Sequence, residues 1–250
     1  MQYSLSINGL TKSFATNFFQ KPRQVLHSVS FKVKSQKTTG FIGVNGAGKT
    51  TTLKCVLGFI RPVTGTIGFF DGLPLSAHVK QRIGYLPERP YYYEFLTASE
   101  FLKFHWDISG GGEGFEESAQ SVLTRVGLMN VWDRSLRSFS KGMLQRAGMA
   151  QALIRKPEFL ILDEPMSGLD PDGRILIKDI IRHEKARGTS IFFSSHLLND
   201  MDELCDELVV IDQGKMIYEG SLGDFTKSGG VEESFRQLRK ELGDRKIEEN

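Results

Sequence analysis

Apolar and polar positions alternate along the first 40 residues, as in the short runs SLSI and SVSFKV. A period of two is typical of strands with one buried face, so this region predicts antiparallel β-strands. Residues 17–23, NFFQKPR, form the predicted hairpin loop between them. Residues 38–43 predict a short, largely apolar strand that leads into a glycine-rich loop and then a helix.

Helical periodicity extends from residue 97 to residue 128, where Thr97 and Glu100 have the spacing of a capping box. The run SGGGEG at residues 109–114 predicts a connection between two helices. From residue 159 onwards, apolar strands alternate with amphipathic helices, in the order FLILD, RILIKDIIRHEKA, SIFFSS and LLNDMDELC. This alternation predicts a parallel sheet covered by helices on both faces.

The C-terminal part predicts a hairpin over residues 208–220, with its turn near residues 212–214, and then a polar linker at residues 227–230. The terminal helix that follows has one apolar face, formed by Val231, Phe235, Leu238 and Leu242. Such a stripe is typical of packing on the helix's own domain, and contact with a second subunit is the alternative.

Composition narrows the class of protein. The 250 residues suffice for one large domain or two small ones. The 32 lysine and arginine residues nearly balance the 30 acidic ones, so we expect no nucleic-acid partner. Cys55 and Cys205 have apolar neighbours, which favours buried thiols in a reducing compartment. The N-terminus lacks an apolar signal segment, and no run approaches the ~20 apolar residues of a membrane span, so we expect a cytoplasmic location.

The strongest chemical motif is GVNGAGKT at residues 43–50, which fits G-x-x-x-x-G-K-[ST] between a predicted strand and a predicted helix. Its glycines let backbone N–H groups point at phosphate oxygens, and the helix N-terminus adds partial positive charge. Lys49 supplies a point charge to the phosphates, and the Thr50 hydroxyl is a ligand for Mg²⁺. A glycine-rich turn with a chance lysine is the alternative. The predicted nucleotide-binding residues are Gly43, Asn45, Gly46, Ala47, Gly48, Lys49, Thr50 and Thr51.

Two adjacent acids end the apolar strand at residues 159–163. We expect Asp163 to reach Mg²⁺, and Glu164, which points elsewhere, to act as the base that takes a proton from attacking water. His196 follows the apolar strand SIFFSS, at the edge of the sheet where ligands bind, so we expect it near the γ-phosphate. A strand-end turn and a structural histidine are the plain alternatives.

Between these motifs lies FSKGM at residues 139–143, ahead of an alanine-rich helix. It resembles the LSGGQ signature of the ATP-binding cassette (ABC) family, with Lys141 in place of a glycine and Met143 in place of a glutamine. The order of motifs also resembles that family: phosphate loop, a loop near Glu88, signature, LILDEP, SGLD at residues 167–170 and the histidine. The resemblance extends over roughly residues 3–225.

The resemblance implies an α/β phosphate-loop NTPase of RecA-like fold. A parallel sheet core would carry an N-terminal antiparallel β-subdomain and an inserted helical subdomain at about residues 89–155, within an ABC domain of residues 1–225. Residues 226–250 would form a C-terminal helical tail. The resemblance also implies an ATPase with ATP and Mg²⁺. Such a subunit, similar to exporter-type cassettes, would drive a separate integral membrane permease and lie peripherally on the cytoplasmic face of the membrane, with membrane contact only through that partner.

The family's mechanism implies a second nucleotide-binding subunit, most simply a homodimer that closes head to tail around ATP. Ser140 and Gly142 of one chain would contact the γ-phosphate held by the other, and Asp170 would join the nucleotide-binding residues. Phe14 matches the aromatic residue that stacks on adenine, with a plain core phenylalanine as the alternative.

Glu88 stands where the family usually has a glutamine that touches Mg²⁺ and the attacking water. Glutamate can still ligate the cation but cannot donate an amide hydrogen bond. The run beyond it matches the groove that receives a short helix of the permease. We therefore predict that its aromatic residues dock the membrane partner, or alternatively pack on the local core: Tyr91, Tyr92, Tyr93 and Phe95.

Three other functions compete with transport. A cassette ATPase can act as an assembly scaffold without transport, and the aromatic segment argues against this. Cassettes that act on DNA carry long coiled coils or zinc insertions, and the sequence has neither. A small-molecule kinase with a phosphate loop has no reason to carry the signature or LILDEP.

Overall fold

A three-stranded antiparallel sheet forms the N-terminal part of the fold. The computed structural model describes residues 1–15, 22–227 and 229–248, and the side chains of residues up to 242. Strands β1 (Tyr3–Phe14) and β2 (Arg23–Lys34) pair antiparallel, and β4 (Thr64–Phe69) pairs with the other edge of β1. The predicted antiparallel strands are thus confirmed, while most of the predicted loop at residues 17–23 lies outside the described residues.

A six-stranded sheet forms the centre of the molecule, in the order β5-β6-β7-β3-β8-β9. The first five strands in this order are mutually parallel, and β9 is antiparallel to β8. The strands are β3 (Thr38–Ile42), β5 (Ile83–Leu86), β6 (Phe159–Asp163), β7 (Ser190–Ser194), β8 (Glu207–Asp212) and β9 (Lys215–Ser221). Every residue of β3, β6 and β7 is buried, because both faces of the sheet are covered.

Helices cover the central sheet and connect its strands along the chain. They are α1 (Lys49–Val56), α2 (Ala77–Gln81), α3 (Ala98–Ile108), α4 (Phe115–Arg125), α5 (Lys141–Leu153), α6 (Pro171–Ala186), α7 (Leu198–Leu204), α8 (Leu222–Phe225) and α9 (Val231–Glu248). The predicted capping box of α3 is confirmed: Glu100 N–H donates to Thr97 Oγ1 at 3.1 Å, and Thr97 N–H donates to Glu100 Oε2 at 2.8 Å. Helices α3, α4 and α5 pack against one another between β5 and β6 in the chain.

Two hydrophobic clusters lie on opposite faces of the central sheet. Phe41 and Phe192 belong to the cluster beneath the antiparallel sheet, where their rings stack at 5.2 Å, and neighbouring Phe193 faces the other cluster. Val231 of α9 is fully buried in that second cluster, so the predicted apolar stripe packs on its own domain. Cys55 and Cys205 are buried free thiols, as predicted. Among the described residues, no helix combines the length and apolar character needed to cross a bilayer.

Candidate functional site

The glycine-rich loop connects β3 to the N-terminus of α1, which begins at Lys49. Gly46 and Gly48 have φ angles of 80° and 111°, in the left-handed region that favours glycine. A Cβ on Gly48 would lie 2.8 Å from the side chain of Leu26, and one on Gly43 would lie 2.4 Å from the carbonyl oxygen of Ile211. The backbone can therefore form a cradle of N–H groups only because glycines occupy these positions.

Lys49 lies buried beneath this cradle. Its Nζ donates a hydrogen bond to the carbonyl oxygen of Gly43 at 2.6 Å, which holds the ammonium group inside the loop. Burial lowers the pKa of Lys49, and the nearby carboxylates of Glu164, Asp163 and Glu88 oppose this shift by favouring the charged form. A bound phosphate would add further negative charge and favour that form more strongly.

Asp163 and Glu164 lie where β6 ends. Asp163 is 3% exposed, and burial raises the pKa of its carboxyl, while a 2.6 Å hydrogen bond from the Ser194 hydroxyl lowers it. Glu164 leaves the strand with a φ of 52°, in the left-handed region. Glu164 Oε2 lies 2.6 Å from His196 Nδ1 and accepts a hydrogen bond from the His196 backbone N–H at 3.2 Å.

These groups meet in one open cavity of about 440 Å³ at the carboxyl edge of the parallel strands. Its lining residues are Val25, Val44, Asn45, Gly46, Gly48, Lys49, Thr50, Thr51, Glu88, Asp163, Glu164, Ser167 and His196. The predicted residues Gly43 and Ala47 belong to the loop but do not line the cavity. Sequence reasoning missed Val25, for which there was no signal, and Ser167, which begins the SGLD run.

The donors in this cavity fit a magnesium nucleotide. Thr50 supplies a hydroxyl, and Glu88 and Asp163 supply carboxylates, which are the hard oxygen ligands that Mg²⁺ takes together with phosphate oxygens. The backbone N–H groups of the glycine cradle and the ammonium group of Lys49 suit the negatively charged phosphate oxygens of a nucleotide. The individual roles of these residues stay predictions.

A second cavity, of about 480 Å³, contains the signature segment. Ser140 caps α5 by accepting a hydrogen bond from the backbone N–H of Met143 at 3.2 Å, and Asp170 caps α6 by accepting one from Gly173 at 2.8 Å. Gly142 lies in the same cavity. The two cavities share no lining residue, so Ser140, Gly142 and Asp170 do not line the nucleotide cavity of their own chain.

Phe14 lies at the end of β1 and is 41% exposed, so the alternative of a plain core phenylalanine is wrong. Lys12 Nζ lies 5.1 Å from the centre of its ring. An exposed ring is available for stacking, although Phe14 does not line the nucleotide cavity. Its contact with adenine stays a prediction.

The aromatic segment after Glu88 divides into two groups. Tyr91 and Phe95 are 85% and 75% exposed, and Tyr93 is partly exposed against Phe104. Tyr92 turns inward and packs on the local core, as the alternative predicted. Its hydroxyl donates to the carbonyl oxygen of Leu144 in α5 at 2.5 Å, where Gly148 leaves room for it.

Comparisons with known proteins agree with this geometry. The profile of the ABC transporter family matches residues 26–167. An ABC transporter ATP-binding protein of Nostoc sp. is 45% identical over 228 residues, which cover 88% of this chain and 67% of that relative. A lantibiotic transport ATP-binding protein of Streptococcus pyogenes is 36% identical over 231 residues, covering 92% of this chain and 95% of that relative. A solved ATP-binding subunit of an ABC transporter matches with a TM-score of 0.85 and 29% identity, over 94% of this chain and 99% of that one, which confirms the predicted fold class.

Proposed function

Because this chain belongs to the ABC transporter family as one of its ATP-binding, ATP-hydrolysing subunits, we propose that two copies close head to tail around MgATP and drive a separate membrane permease. The observation that carries this proposal is the separation of the two cavities. The signature residues Ser140 and Gly142 line a different cavity from the nucleotide cavity of their own chain, which supports a contact between them and the γ-phosphate bound by a second chain.

The predicted site residues of the nucleotide cavity have separate roles in this proposal. The loop N–H groups and Lys49 hold the phosphates, and Thr50, Asp163 and Glu88 hold Mg²⁺. When bound, Mg²⁺ neutralises charge that develops on the phosphate oxygens. Glu164 takes the proton of the attacking water, and His196, at 2.6 Å, orients the carboxylate of Glu164 and faces the γ-phosphate.

Closure of the dimer completes the site. Ser140 and Gly142 at the N-terminus of α5 in one chain present N–H groups to the γ-phosphate bound by the other. Asp170 reaches the nucleotide from the same direction, and Phe14 stacks on adenine within its own chain. Hydrolysis removes the γ-phosphate contact, and the dimer then opens.

Two observations support a membrane partner and export. Tyr91, Tyr93 and Phe95 expose aromatic surface next to Glu88, as a docking site for a permease helix would require. A relative of nearly the same length is named a lantibiotic transport ATP-binding protein, and we propose that this chain likewise serves transport, in the outward direction. The chain would then lie on the cytoplasmic face of the membrane, held there by its permease.

The substitution Glu164→Gln tests the ATPase cycle. We expect it to lower the rate of ATP hydrolysis by at least about 100-fold, because the amide cannot accept the proton of water, while MgATP still binds. The blocked protein should therefore accumulate as a dimer in MgATP, measured by size-exclusion chromatography with light scattering.

Two control variants sharpen this test. Glu117→Gln, an exposed change in the first turn of α4, should behave like the wild type. Adding Ser140→Arg to Glu164→Gln should abolish the dimer but leave ATP binding intact. A dimer that forms regardless of nucleotide, or that survives Ser140→Arg, would contradict the head-to-tail arrangement.

A further inference from the structure

The last residue of β7, Ser194, is a buried polar group next to the site. It is 1% exposed, and it pairs with Asp163 across the parallel strands β6 and β7. The three residues before it, Ile191, Phe192 and Phe193, are fully buried and apolar. A hydroxyl group in such surroundings costs stability unless it is hydrogen-bonded, so the partners of Ser194 indicate what it does.

One hydroxyl group of Ser194 serves both acids. Ser194 Oγ donates its proton to Asp163 Oδ1 at 2.6 Å and accepts the backbone N–H of Glu164 at 3.1 Å. A serine hydroxyl has one proton to give and lone pairs to accept with, so the two bonds are compatible. Alanine could make neither of these side-chain bonds, and only the carbonyl oxygen of residue 194, which also accepts the Glu164 N–H at 3.2 Å, would remain as a partner.

Glu164 requires such support because its backbone is strained. A φ of 52° is unfavourable for a side chain with a Cβ, and Pro165, which follows, further restricts the conformation of Glu164. Such conformations persist only where the surroundings fix them. Here the contacts come from the end of β7 and the residues just after it: Glu164 N–H donates to Ser194, and Glu164 Oε2 pairs with His196.

We infer that Ser194 is a positioning residue of the hydrolytic site, whose single hydroxyl orients Asp163 toward the metal of the nucleotide and holds Glu164 in its strained conformation. The inference rests on the proposed function, since it assumes that Asp163 holds Mg²⁺ and that Glu164 is the base. Ser194 differs from a serine that only fills the interior, because the hydrogen-bond partners of its hydroxyl are the two acids of the site.

The test compares the affinity for a fluorescent ATP analogue in excess Mg²⁺ with the affinity in EDTA. In the wild type, the affinity in Mg²⁺ divided by the affinity in EDTA gives the contribution of the metal to binding. We expect Ser194→Ala to lower this ratio by about tenfold, the usual effect of removing a group that orients a metal ligand. Its affinity in EDTA should stay within about twofold of the wild type, because the glycine loop and Lys49 are unchanged. Ser194→Thr keeps the hydroxyl and should restore the Mg²⁺-dependent gain.

Ser190→Ala is the matched control. Ser190 begins the same strand and is 1% exposed. Its Oγ accepts two hydrogen bonds away from the nucleotide cavity, from the Ser4 hydroxyl at 2.7 Å and from the Gln36 N–H at 2.8 Å. It should leave both affinities unchanged.

Two results would overturn the inference. Ser194→Ala could lose equal nucleotide affinity with and without Mg²⁺, which would mean that the serine is purely structural, or it could lose no affinity at all. A wild-type protein without any Mg²⁺-dependent gain would instead contradict the proposed function itself.

Discussion

At the residue scale, Glu88 places a third carboxylate in the nucleotide cavity beside Asp163 and Glu164. Its side chain is 44% exposed, and its contact with Arg89, at 3.8 Å, is too exposed to neutralise it effectively. The charge of Glu88 also acts on Lys49, where it opposes the lowering of the pKa by burial. The carboxylate of Glu88 therefore adds to the cavity a negative charge that a glutamine would not carry.

Glu88→Gln should raise kcat for ATP hydrolysis by about fivefold and change ATP affinity by less than about threefold. The amide oxygen can still ligate Mg²⁺, and the loss of one negative charge removes about 1 kcal/mol of repulsion from the developing phosphate charge. Steady-state hydrolysis and nucleotide titration measure the two quantities. The exposed variant Glu94→Gln, in the same segment, should change neither, and an unchanged kcat in Glu88→Gln would refute the electrostatic role.

At the element scale, Tyr92 connects the segment after β5 to α5, the helix that begins at the signature. Its ring packs on Phe101 of α3 with centroids 5.5 Å apart, and its hydroxyl reaches Leu144 of α5. A Cβ on Gly148 would lie 2.7 Å from that hydroxyl, so the helix is shaped for it. The orientation of α5, and with it of Ser140, thus depends on a side chain beyond Glu88.

Tyr92→Phe should lower the free energy of unfolding by about 1 kcal/mol, because it removes the hydrogen bond to Leu144 and keeps the ring. Urea unfolding followed by circular dichroism measures the change. Tyr93→Phe alters a partly exposed hydroxyl one residue away and should leave the stability within about 0.5 kcal/mol. Equal stabilities for the two variants would mean that the Tyr92 hydroxyl contributes nothing to the position of α5.

At the scale of the whole molecule, the two cavities and the exposed aromatic side chains are separate surfaces of the same chain. One cavity holds the phosphate loop and the other the signature, and Tyr91 and Phe95 project beside Glu88. A change at one surface can therefore be made without destroying the others, which allows the membrane partner to be tested independently of ATP hydrolysis.

The double variant Tyr91→Ser and Phe95→Ser should lose its permease but keep its hydrolysis rate. Both rings are largely exposed, so their loss removes interface area and little of the core. Tagged Glu164→Gln protein, with and without the double change, is recovered from solubilised native membranes in MgATP. A polytopic membrane protein should co-purify with the Glu164→Gln protein that keeps Tyr91 and Phe95, and not with the protein that carries the double change.

Ile175→Ser, an exposed apolar residue on α6, is the control for this experiment and should retain the partner. Full recovery of the partner with the double variant would contradict docking at this surface. The absence of any membrane partner from the Glu164→Gln protein without the double change would favour an assembly scaffold.

The sequence by itself determined the class of fold and most of the nucleotide cavity. The phosphate loop and the acids at the end of β6 are runs of adjacent residues, so their local backbone brings their chemistry together. Alternating and continuous apolar patterns distinguish half-buried from fully buried strands, which is why β1, β2, β3, β6 and β7 were predictable, whereas β4 and β5 were not predicted.

Only the tertiary structure decided which distant side chains meet. Ser194 reaches Asp163 because β6 and β7 pair in that register, and no local pattern reports a pairing over 31 positions. Four aromatic rings within five residues look alike in sequence, yet Tyr92 alone turns inward because Gly148 and Leu144 of α5 lie beneath it. Strand register and the space left by a neighbouring helix are properties of packing, and they arise only when the whole chain has folded.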